Sequence, residues 1–561
     1  MDLVGAHTGQ TSRHCSYSSL PTLPSQAEYS DGSDLVVLFD IMTNRIDADE
    51  IVLIAGAGPT GLVLALWLTK LGVKVRTVDK TAEPGTTSRA LAVQARTLEF
   101  YHQVGIDDAV IAGGVKIENL NLWVKGHRAA RVPLQRTGEG LTPYAFALVF
   151  PQDAHERLLI QKLGELGVQV ERETELLRFS RSETGVSAIL RRPDGSEEVC
   201  EAAYLAGCDG AASTVRAQLG VGFPGGTYTG LFYVSDVEGT GEPVDDDLHA
   251  DVEDADFLLL FPLKGQGRVR LVGTIRDLPD GDHGKLGFDD VRGKALEHLK
   301  LNIEKVNWFS TYRVHHRVAL HFRDRRAFLL GDAAHIHSPV GGQGMNTGIG
   351  DSVNLAWKIA AVLKDGAPAN LLDTYEPERI RFARRLVATT DRGFTLVTRR
   401  GGIARFVRTR IIPLVVPIAF RLQAMRQLLF NTVSQTKVNY RESALSEGAA
   451  GKVRGGDRLP WVDLGSANDN FAPLTSVEWQ VHVYGGAGSG KGEAGSGLRE
   501  TCAELRLPLH VFEWREPMRH AGLQQGALYL VRPDGYVALA DSGVNPQRLR
   551  QYFTERDWRR G

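Results

Sequence analysis

The stretch that decides the fold is Ile51–Lys80, IVLIAGAGPTGLVLALWLTKLGVKVRTVDK. It opens with Ile51–Ala55, an apolar run typical of a buried parallel strand. An apolar helical pattern follows over Leu62–Leu71, and a second strand is predicted over Val73–Val78. The order strand, helix, strand indicates a parallel, doubly wound α/β domain.

Three glycines, Gly56, Gly58 and Gly61, lie between the first strand and the helix with the spacing G-x-G-x-x-G. The first permits a tight turn, the second lets a pyrophosphate approach the backbone, and the third lets helix and strand pack closely. The helix N-terminus offers unpaired N–H groups to phosphates. Asp79 ends the next strand, where its carboxylate can accept a hydrogen bond from a ribose hydroxyl. The pattern predicts dinucleotide binding, and the alternative is a glycine-rich turn that binds nothing.

Length and composition limit the class of protein. A chain of 561 residues is too long for one ordinary domain, so we expect two or three. A net charge of -2 leaves no electrostatic footprint for nucleic acid, which we exclude as a partner. The cysteines form no C-x-x-C pair, which indicates a reducing, cytoplasmic compartment without disulfides or zinc. They are Cys15, Cys200, Cys208 and Cys502.

Residues 1–48 differ in composition from the rest of the chain. They are rich in Ser, Thr, Gly and Asp, with one apolar island at Leu35–Ile41. We expect a disordered N-terminal extension, and Met42 is an alternative start of the protein. A transit peptide is a weaker alternative because acidic residues are present and basic ones are few.

The most apolar run late in the chain is Ile411–Phe420. It holds two prolines and is too short to span a bilayer. We therefore expect a packed helical segment and no membrane span.

Three polar residues follow predicted strands or begin a helix. Arg89 lies in the loop after the second strand, where it can contact cofactor phosphates or form a solvated surface charge. Gln152 lies in the first turn of a helix predicted over Pro151–Gly167, so a capping role is the alternative to a ligand role. Asp209 follows the strand Tyr204–Gly207 in a Gly/Asp turn, and an ordinary turn residue is its alternative reading.

A second informative stretch is Ala327–Gly366, AFLLGDAAHIHSPVGGQGMNTGIGDSVNLAWKIAAVLKDG. It predicts a buried strand that ends at Gly331 and Asp332, followed by a glycine-rich loop and a long apolar helix. A carboxylate at a strand end can accept hydrogen bonds from sugar-like hydroxyls, and the helix N-terminus can hold negative charge. His335 and His337 lack a third ligand at zinc-like spacing, so we predict no metal site.

The remainder of the chain carries strand patterns without a nucleotide motif. Residues 224–320 hold many short strand patterns, and we expect a β-rich layer that covers a ligand. Near the C-terminus, strands are predicted over Trp479–Val483 and Pro508–Trp514, followed by a hairpin. The run Gly485–Lys491 resembles a phosphate-binding loop, but Gly492 replaces the Ser or Thr that binds magnesium, so we expect a flexible loop.

Three motifs give the chain its resemblance to a known family. They are GAGPTG with Asp79, GCDGAASTVR at Gly207–Arg216, and GDAAHIHSPVGGQGMNTGIGDSVNLAWK. With them the chain resembles the class A flavin-dependent aromatic hydroxylases of the para-hydroxybenzoate hydroxylase superfamily. It is most similar to the branch of phenol, pentachlorophenol and polyketide hydroxylases. That family commonly has Glu where this chain has Asp79, and either carboxylate can accept from a ribose.

The resemblance implies a set of FAD-binding residues. The pyrophosphate loop and ribose end correspond to Gly56, Ala57, Gly58, Pro59, Thr60, Gly61, Asp79 and Lys80. Contacts from the following loop and helix correspond to Arg89 and Gln152. Asp209 corresponds to an aspartate linked to FAD and NAD(P)H function, and Asp332 to one that binds a ribityl hydroxyl. The loop beside the isoalloxazine ring corresponds to Pro339, Gly342, Gln343, Gly344, Met345 and Asn346. No catalytic residue can be named.

The resemblance also implies the domain organisation. We expect a Rossmann-type FAD-binding domain over 49–225, a β-rich substrate domain over 226–322 and a second FAD-binding part with a helical connector over 323–445. A thioredoxin-like domain without C-x-x-C follows over 446–561, with a structural or associative role.

The implied activity is FAD-dependent aromatic hydroxylation. NAD(P)H reduces FAD, O2 gives a flavin 4a-hydroperoxide, and an electron-rich ring of a phenolic or polyketide substrate takes one oxygen atom. The alternatives are epoxidation, Baeyer–Villiger-type oxygen insertion or a non-catalytic flavin-binding role. The expected partners are an aromatic small molecule and O2, and a homodimer is compatible with the resemblance. NADH and NADPH both remain open.

Overall fold

The computed structural model describes residues 50–85, 90–135, 137–251, 258–275, 286–338, 341–398, 401–465, 469–485 and 493–558. Four predictions from the sequence therefore lie outside the described residues. They are the N-terminal extension, Arg89, Pro339 and nearly all of the loop Gly485–Lys491.

The N-terminal half of the chain holds most of the strands. In chain order they are β1 (Ile51–Ala55), β2 (Lys74–Val78), β3 (Ala92–Val93), β4 (Val115–Ile117), β5 (Asn119–Val124), β6 (His127–Pro133), β7 (Ala147–Val149), β8 (Val170–Glu171), β9 (Glu175–Arg181), β10 (Val186–Arg191), β11 (Glu197–Ala202), β12 (Tyr204–Gly207), β13 (Gly225–Thr240), β14 (Leu248–Asp251), β15 (Leu258–Pro262) and β16 (Arg268–Ile275). The later strands are β17 (Asn302–Val318), β18 (Arg323–Asp324), β19 (Ala327–Leu329), β20 (His335–Ile336), β21 (Glu447–Ala450), β22 (Val453–Arg454), β23 (Gln480–Tyr484), β24 (Leu509–Phe512), β25 (Ala527–Val531) and β26 (Val537–Asp541).

Helices are distributed along the whole described chain. They are α1 (Pro59–Lys70), α2 (Ala95–Val104), α3 (Asp107–Gly113), α4 (Gln152–Glu165), α5 (Thr214–Leu219), α6 (Asp289–Leu299), α7 (Gly344–Lys364), α8 (Tyr375–Thr398), α9 (Gly402–Phe406), α10 (Ile412–Ala419), α11 (Gln423–Val433), α12 (Glu493–Glu504), α13 (Glu516–His520) and α14 (Pro546–Thr554). A π-helical turn over Val407–Ile411 joins α9 to α10.

The sheet that carries the first motif has the order β18-β19-β12-β1-β2-β8. Strand β1 pairs in parallel with β2 and β12, and β12 pairs in parallel with β19. Helix α1 crosses from β1 to β2 and buries its apolar residues in the core of this sheet. The predicted α/β fold and strand–helix–strand unit are therefore confirmed.

The sequence pattern predicts a helix over Leu91–Tyr101, but the helix begins later in the structure. Ala92 and Val93 form the short strand β3, which pairs with β7, and helix α2 begins at Ala95. The tertiary partner explains the difference, since the Gln94 N–H donates to the side chain of Asn346 at 2.9 Å and holds this segment extended.

An eight-stranded sheet contains the β-rich layer predicted over residues 224–320. Its order is β20-β17-β13-β16-β15-β14-β5-β6. The long strands β13 and β17 lie next to the edge strand β20 and form an antiparallel pair with several register shifts. Strands β5 and β6 join it from the N-terminal half, so the layer is discontinuous in sequence.

The C-terminal region forms its own sheet with the order β22-β21-β26-β25-β23-β24. Its core runs β23, α12, β24, α13, β25, β26, α14, with β23 and β24 parallel and the predicted hairpin β25–β26 antiparallel. This arrangement agrees with the thioredoxin-like tail that the resemblance implies. Burial raises the pKa of the Cys502 thiol to about 12, so this thiol is not a reactive thiolate at neutral pH.

A buried ionic cluster joins this tail to helices α7 and α8. Arg532 donates to both carboxylate oxygens of Glu378, at 2.9 and 3.1 Å, and Lys358 donates to Glu378 at 2.8 Å. Asp534 accepts from Arg532 at 2.6 Å and from the Trp357 indole N–H at 3.1 Å. The ionic side chains are at most 1% exposed, so each charge depends on its partners.

The run Ile411–Phe420 is helical as predicted, but the expectation that it is packed is wrong for one face. Ile412, Val416 and Phe420 pack against β5, β6 and β15. Leu414 and Ile418 are exposed at 65% and 56%. The helix lies on the sheet edge, and no other described residues cover its outer face, a placement that periodicity alone does not predict.

Candidate cofactor site

A cleft of about 390 Å³ lies at the carboxyl end of β1. Parallel strands end at the same edge of a sheet, so residues distant in sequence meet there. The sequence-predicted residues that line it are Gly56, Ala57, Gly58, Asp79, Lys80, Gln152 and Asp209. The structure thus brings seven residues from four segments of the chain to one cleft.

Glycine is required at two positions of the first turn. Gly56 has φ +105°, and a β-carbon there would lie 2.3 Å from the Cys208 carbonyl oxygen. A β-carbon on Gly61 would lie 1.9 Å from the Gly56 carbonyl oxygen. Gly58 is different, because a β-carbon there would meet no protein atom within 4 Å. Its missing side chain therefore leaves open space at the N-terminus of α1, where a phosphate can approach.

Asp79 is held at the rim of the cleft by backbone donors. Its Oδ2 accepts from the Ala57 N–H at 2.7 Å and its Oδ1 from the Thr81 N–H at 2.8 Å. Arg172 lies 3.7 Å from Oδ1. These contacts fix the carboxylate beside the glycine turn, where a ribose hydroxyl can donate to it.

Arg172 and Glu156 also line the cleft, although the sequence motifs did not predict them as site residues. The Arg172 Nη2 atom is buried and has no hydrogen-bond partner among the described residues. Such an orphaned cationic donor fits an anionic ligand such as a pyrophosphate. Arg172 directly follows β8, and only the pairing of β8 with β2 places it beside Asp79.

Gln152 and Glu156 form one polar edge of the cleft. The Gln152 amide donates to Glu156 at 2.8 Å, and Glu156 accepts from the Gly85 N–H at 2.9 Å. Burial raises the pKa of the Glu156 carboxyl above its ordinary value. This edge holds the backbone of Gly85 at the cleft.

Asp209 serves as a helix cap at the cleft wall. Its carboxylate accepts from the Ser213 hydroxyl at 2.5 Å and from the Val215 N–H at 3.1 Å, at the start of α5. Arg216 in that helix donates to the Ala333 carbonyl at 2.8 Å. The second motif is thereby tied to the third.

Thr60 joins the two glycine-rich helix starts. A β-carbon on Gly348 would lie 2.3 Å from the Thr60 hydroxyl, and one on Gly331 would lie 2.6 Å from it. The Ser352 hydroxyl donates to the Thr60 carbonyl at 2.7 Å. Helices α1 and α7 therefore pack at van der Waals distance. Asp332 lies exposed in the 3-10 turn directly after β19, beside this contact.

The loop into α7 is held by its own side chains. Asn346 accepts from Gln94 N–H and the Thr97 hydroxyl, and donates to the carbonyls of Ala92 and Gly342. All four hydrogen-bonding positions of its amide are thus used within the protein. Asn346 can meet a cofactor only through its backbone or its packing.

Gln343, Met345 and Gly342 support the same loop. Gln343 donates to the Val433 carbonyl at 2.7 Å and Met345 packs against the main core. A β-carbon on Gly342 would lie 2.7 Å from the Ala92 β-carbon. Gly344 begins the 21-residue helix α7, so unpaired N–H groups point out of this loop.

His337 lies at the start of this helix. Its sequence pattern suggested no role except that of a metal ligand, which was rejected. Its Nδ1 is 2.9 Å from the Ser338 carbonyl, so Nδ1 carries the proton and donates. The Nε2 atom is buried, has no partner in the described part of the chain, and would lie 3.8 Å from a β-carbon on Gly344. Burial lowers the pKa of His337 to about 4, so the neutral ring presents an unused acceptor. His335 instead pairs with Asp351 at 2.7 Å.

The family of the chain follows from residues 49–390, which match the family described as FAD binding domain. This match covers more than half of the 561 residues and both glycine-rich helix starts. The protein belongs to this family. It is an FAD-dependent monooxygenase of the aromatic hydroxylase class, as its relatives indicate.

Two curated relatives from Streptomyces match nearly the whole chain. The 6-methylpretetramide 4-monooxygenase of Streptomyces rimosus is 34% identical over 87% of this chain and 90% of the relative. The dialkyldecalin synthase of Streptomyces rugosporus is 31% identical over 87% of this chain and 95% of the relative.

A solved structure supports the same assignment of fold. The anhydrotetracycline hydroxylase OxyS from Streptomyces rimosus is 28% identical, with a TM-score of 0.71. The match covers 90% of this chain and 98% of that one.

Proposed function

We propose that the protein hydroxylates a polycyclic or simple phenolic substrate, consuming NAD(P)H and O2. One observation supports this most: two glycine-bounded helix N-termini, at Gly58 and Gly344, are packed together through Thr60. A relative that is 34% identical over most of this chain is a 6-methylpretetramide 4-monooxygenase. In the proposed reaction ArH, O2, NAD(P)H and H+ give ArOH, NAD(P)+ and water.

We propose that FAD is bound by residues around the N-terminus of α1 and by residues around the N-terminus of α7. In our proposal the N-terminus of α1 and Arg172 bind the pyrophosphate, Asp79 binds the ribose, and Asp332 binds a ribityl hydroxyl. Bound FAD supplies the transfer of electrons from NAD(P)H to O2.

The N-terminus of α7 stabilises negative charge at the edge of the bound ring. Its unpaired N–H groups are already oriented by the loop that Asn346 and Gln343 hold, so no reorganisation is needed when charge develops. His337 adds one acceptor for an N–H or O–H group of the bound molecules. In our proposal the eight-stranded sheet, whose edge strand β20 directly precedes His337, would help to exclude water from the bound molecules.

The domain boundaries stay part of the proposal. We assign FAD binding to 49–225 and 323–445, the substrate layer to 226–322 together with β5 and β6, and a structural role to 446–561. We also propose a cytoplasmic location. A homodimer is proposed only through faces away from the cofactor cleft, and light scattering of the purified protein measures it.

The experiment is NAD(P)H oxidation by the FAD-loaded protein against a panel of phenols and polycyclic polyketides. Product mass, hydrogen peroxide and incorporation of labelled O2 are measured in the same reactions. We expect one compound to stimulate oxidation with one labelled oxygen in its product and little peroxide.

The second candidate function is an isomerisation of the substrate without net oxidation, which the dialkyldecalin synthase relative favours. A different outcome of the same experiment would support it. That outcome is an isomerised product of unchanged mass, formed without NAD(P)H oxidation. An FAD-loaded protein that oxidises neither NADH nor NADPH with any compound contradicts the hydroxylase proposal.

A further inference from the structure

The helices between the cofactor loop and the C-terminal tail present an unusual surface, which we call the basic apolar face. It comprises α9, the π-helical turn, α10 and α11. Of the sixteen large apolar residues exposed in the described chain, eleven lie on it. They are Ile403, Phe406, Val407, Ile411, Leu414, Val415, Ile418, Leu422, Met425, Leu428 and Leu429.

The helices of this face are packed against the rest of the protein. Its inner side is packed, because Ile412 and Val416 contact the eight-stranded sheet and Phe430 is 5% exposed against Gly138. Only the outer side of the same helices is apolar and exposed. Contiguous exposed apolar surface on a folded protein marks an interaction site.

The charge of the face has one sign. Over residues 402–433, which form the face, the sequence contains five basic residues and no Asp or Glu. Arg410 and Arg421 are exposed on it, and neither forms an ion pair with a carboxylate of the described residues. Apolar and cationic groups without anions are the combination found in helices that lie in a membrane interface.

We propose that the basic apolar face binds an anionic lipid surface, with its helices lying in the plane of the headgroups. Anionic headgroups complement the arginines, while the leucine and isoleucine side chains enter the acyl boundary. A second copy of the chain is a poor occupant, because a symmetric contact would place these uncompensated cations against one another. The helices lie on the bilayer, since no described helix is long and apolar enough to cross it.

The basic apolar face adjoins both the cofactor loop and the substrate layer. Helix α11 ends at Val433, whose carbonyl accepts from Gln343 in the cofactor loop. Helix α10 packs on β6 at the edge of the substrate layer. Lipid binding therefore places the candidate active site next to the bilayer, where apolar aromatic compounds accumulate. The lipid proposal itself does not depend on the proposed reaction.

The test is sedimentation of the purified full chain with vesicles, without substrate or NAD(P)H. One set contains phosphatidylcholine alone and the other equal parts of phosphatidylcholine and phosphatidylglycerol. We expect binding to the anionic vesicles that salt weakens. Removing two cations in Arg410→Gln/Arg421→Gln should weaken it about thirtyfold. Leu414→Ser/Ile418→Ser should weaken it by at least about tenfold.

The matched control is Val199→Ser, which removes an equally exposed apolar side chain far from the face in sequence, on β11. It should bind vesicles as the wild type does, and all variants should keep the wild-type thermal midpoint because the changed side chains are exposed. No binding to anionic vesicles, or equal binding to both vesicle types, overturns the proposal. A dimer in light scattering that Leu414→Ser/Ile418→Ser dissociates, without vesicle binding, also overturns it and identifies a contact between copies.

Discussion

Replacing Gly58 by Ala separates cofactor binding from folding. A β-carbon at this position meets no protein atom within 4 Å, and its φ of -77° is accessible to alanine. Gly58 is the N-cap of α1, so the stability of the apoprotein should change by less than about 1 kcal/mol. The new methyl group would enter the space through which, in our proposal, the pyrophosphate approaches the N–H groups of α1. Loss of one charge-assisted hydrogen bond costs about 1.5–3 kcal/mol, so FAD should bind roughly ten- to a hundredfold more weakly.

The assay is titration of the apoprotein with FAD, followed by flavin fluorescence, with urea unfolding measured in parallel. Gly61→Ala is the contrasting variant, because its β-carbon would lie 1.9 Å from the Gly56 carbonyl oxygen. It should destabilise the apoprotein by at least about 1–3 kcal/mol. Gly164→Ala, near the end of α4 with no atom within 4 Å, should leave FAD affinity unchanged. Unchanged FAD affinity in Gly58→Ala would refute the placement of the pyrophosphate.

Three further predictions concern buried or exposed charges, each with its own measurement. Glu378→Ala leaves buried Lys358 without a carboxylate partner among the described residues and leaves Arg532 with Asp534 alone, so it should cost about 3–5 kcal/mol in urea unfolding. Glu175→Ala breaks a surface pair and should cost at most about 1 kcal/mol. Burial lowers the pKa of His155 to about 3, so below pH 6.5 the unfolded chain binds a proton that the folded chain does not, and stability falls with decreasing pH by about 1.4 kcal/mol per unit. The variant His155→Gln should show a shallower slope between pH 6.5 and 4, and an unchanged slope would contradict this assignment. Asp332→Ala should weaken FAD binding by about 1.5–3 kcal/mol, while Asp194→Ala in a remote exposed turn should not, and equal affinities in the two variants would argue against a ribityl contact.

The sequence predicts the parts of the site that depend on local chemistry. The glycine turn, the strand that ends before Asp79 and the start of α7 near Gly344 are all found where spacing and turn residues place them. Each of these features is defined within one strand–turn–helix unit, so neighbouring residues specify it.

The sequence does not predict contributions that arise from distant pairing. Arg172 enters the cleft only because β8 adds to β2, and Asn346 is consumed by hydrogen bonds to a strand about 250 residues away. Ala92 and Val93 become a strand instead of a helix for the same reason. For α10 the prediction fails in a different way. An apolar helical pattern predicts burial, but it does not show which side of the helix packs against another element, and the outer side of α10 is exposed.

The buried ionic cluster at Glu378 couples the tail to the cofactor-binding region. Its four charges come from both sides of a boundary, with Arg532 and Asp534 on the tail and Lys358 and Glu378 on the cofactor side. Lys358 lies on α7, the same helix that begins at the cofactor loop. Shortening the chain before the tail would remove Arg532 from Glu378 and expose Trp357 and Ala361, which pack in one hydrophobic cluster with the tail, so gene truncation is expected to yield insoluble protein. We therefore expect the tail and the cofactor-binding region to unfold together as one cooperative unit.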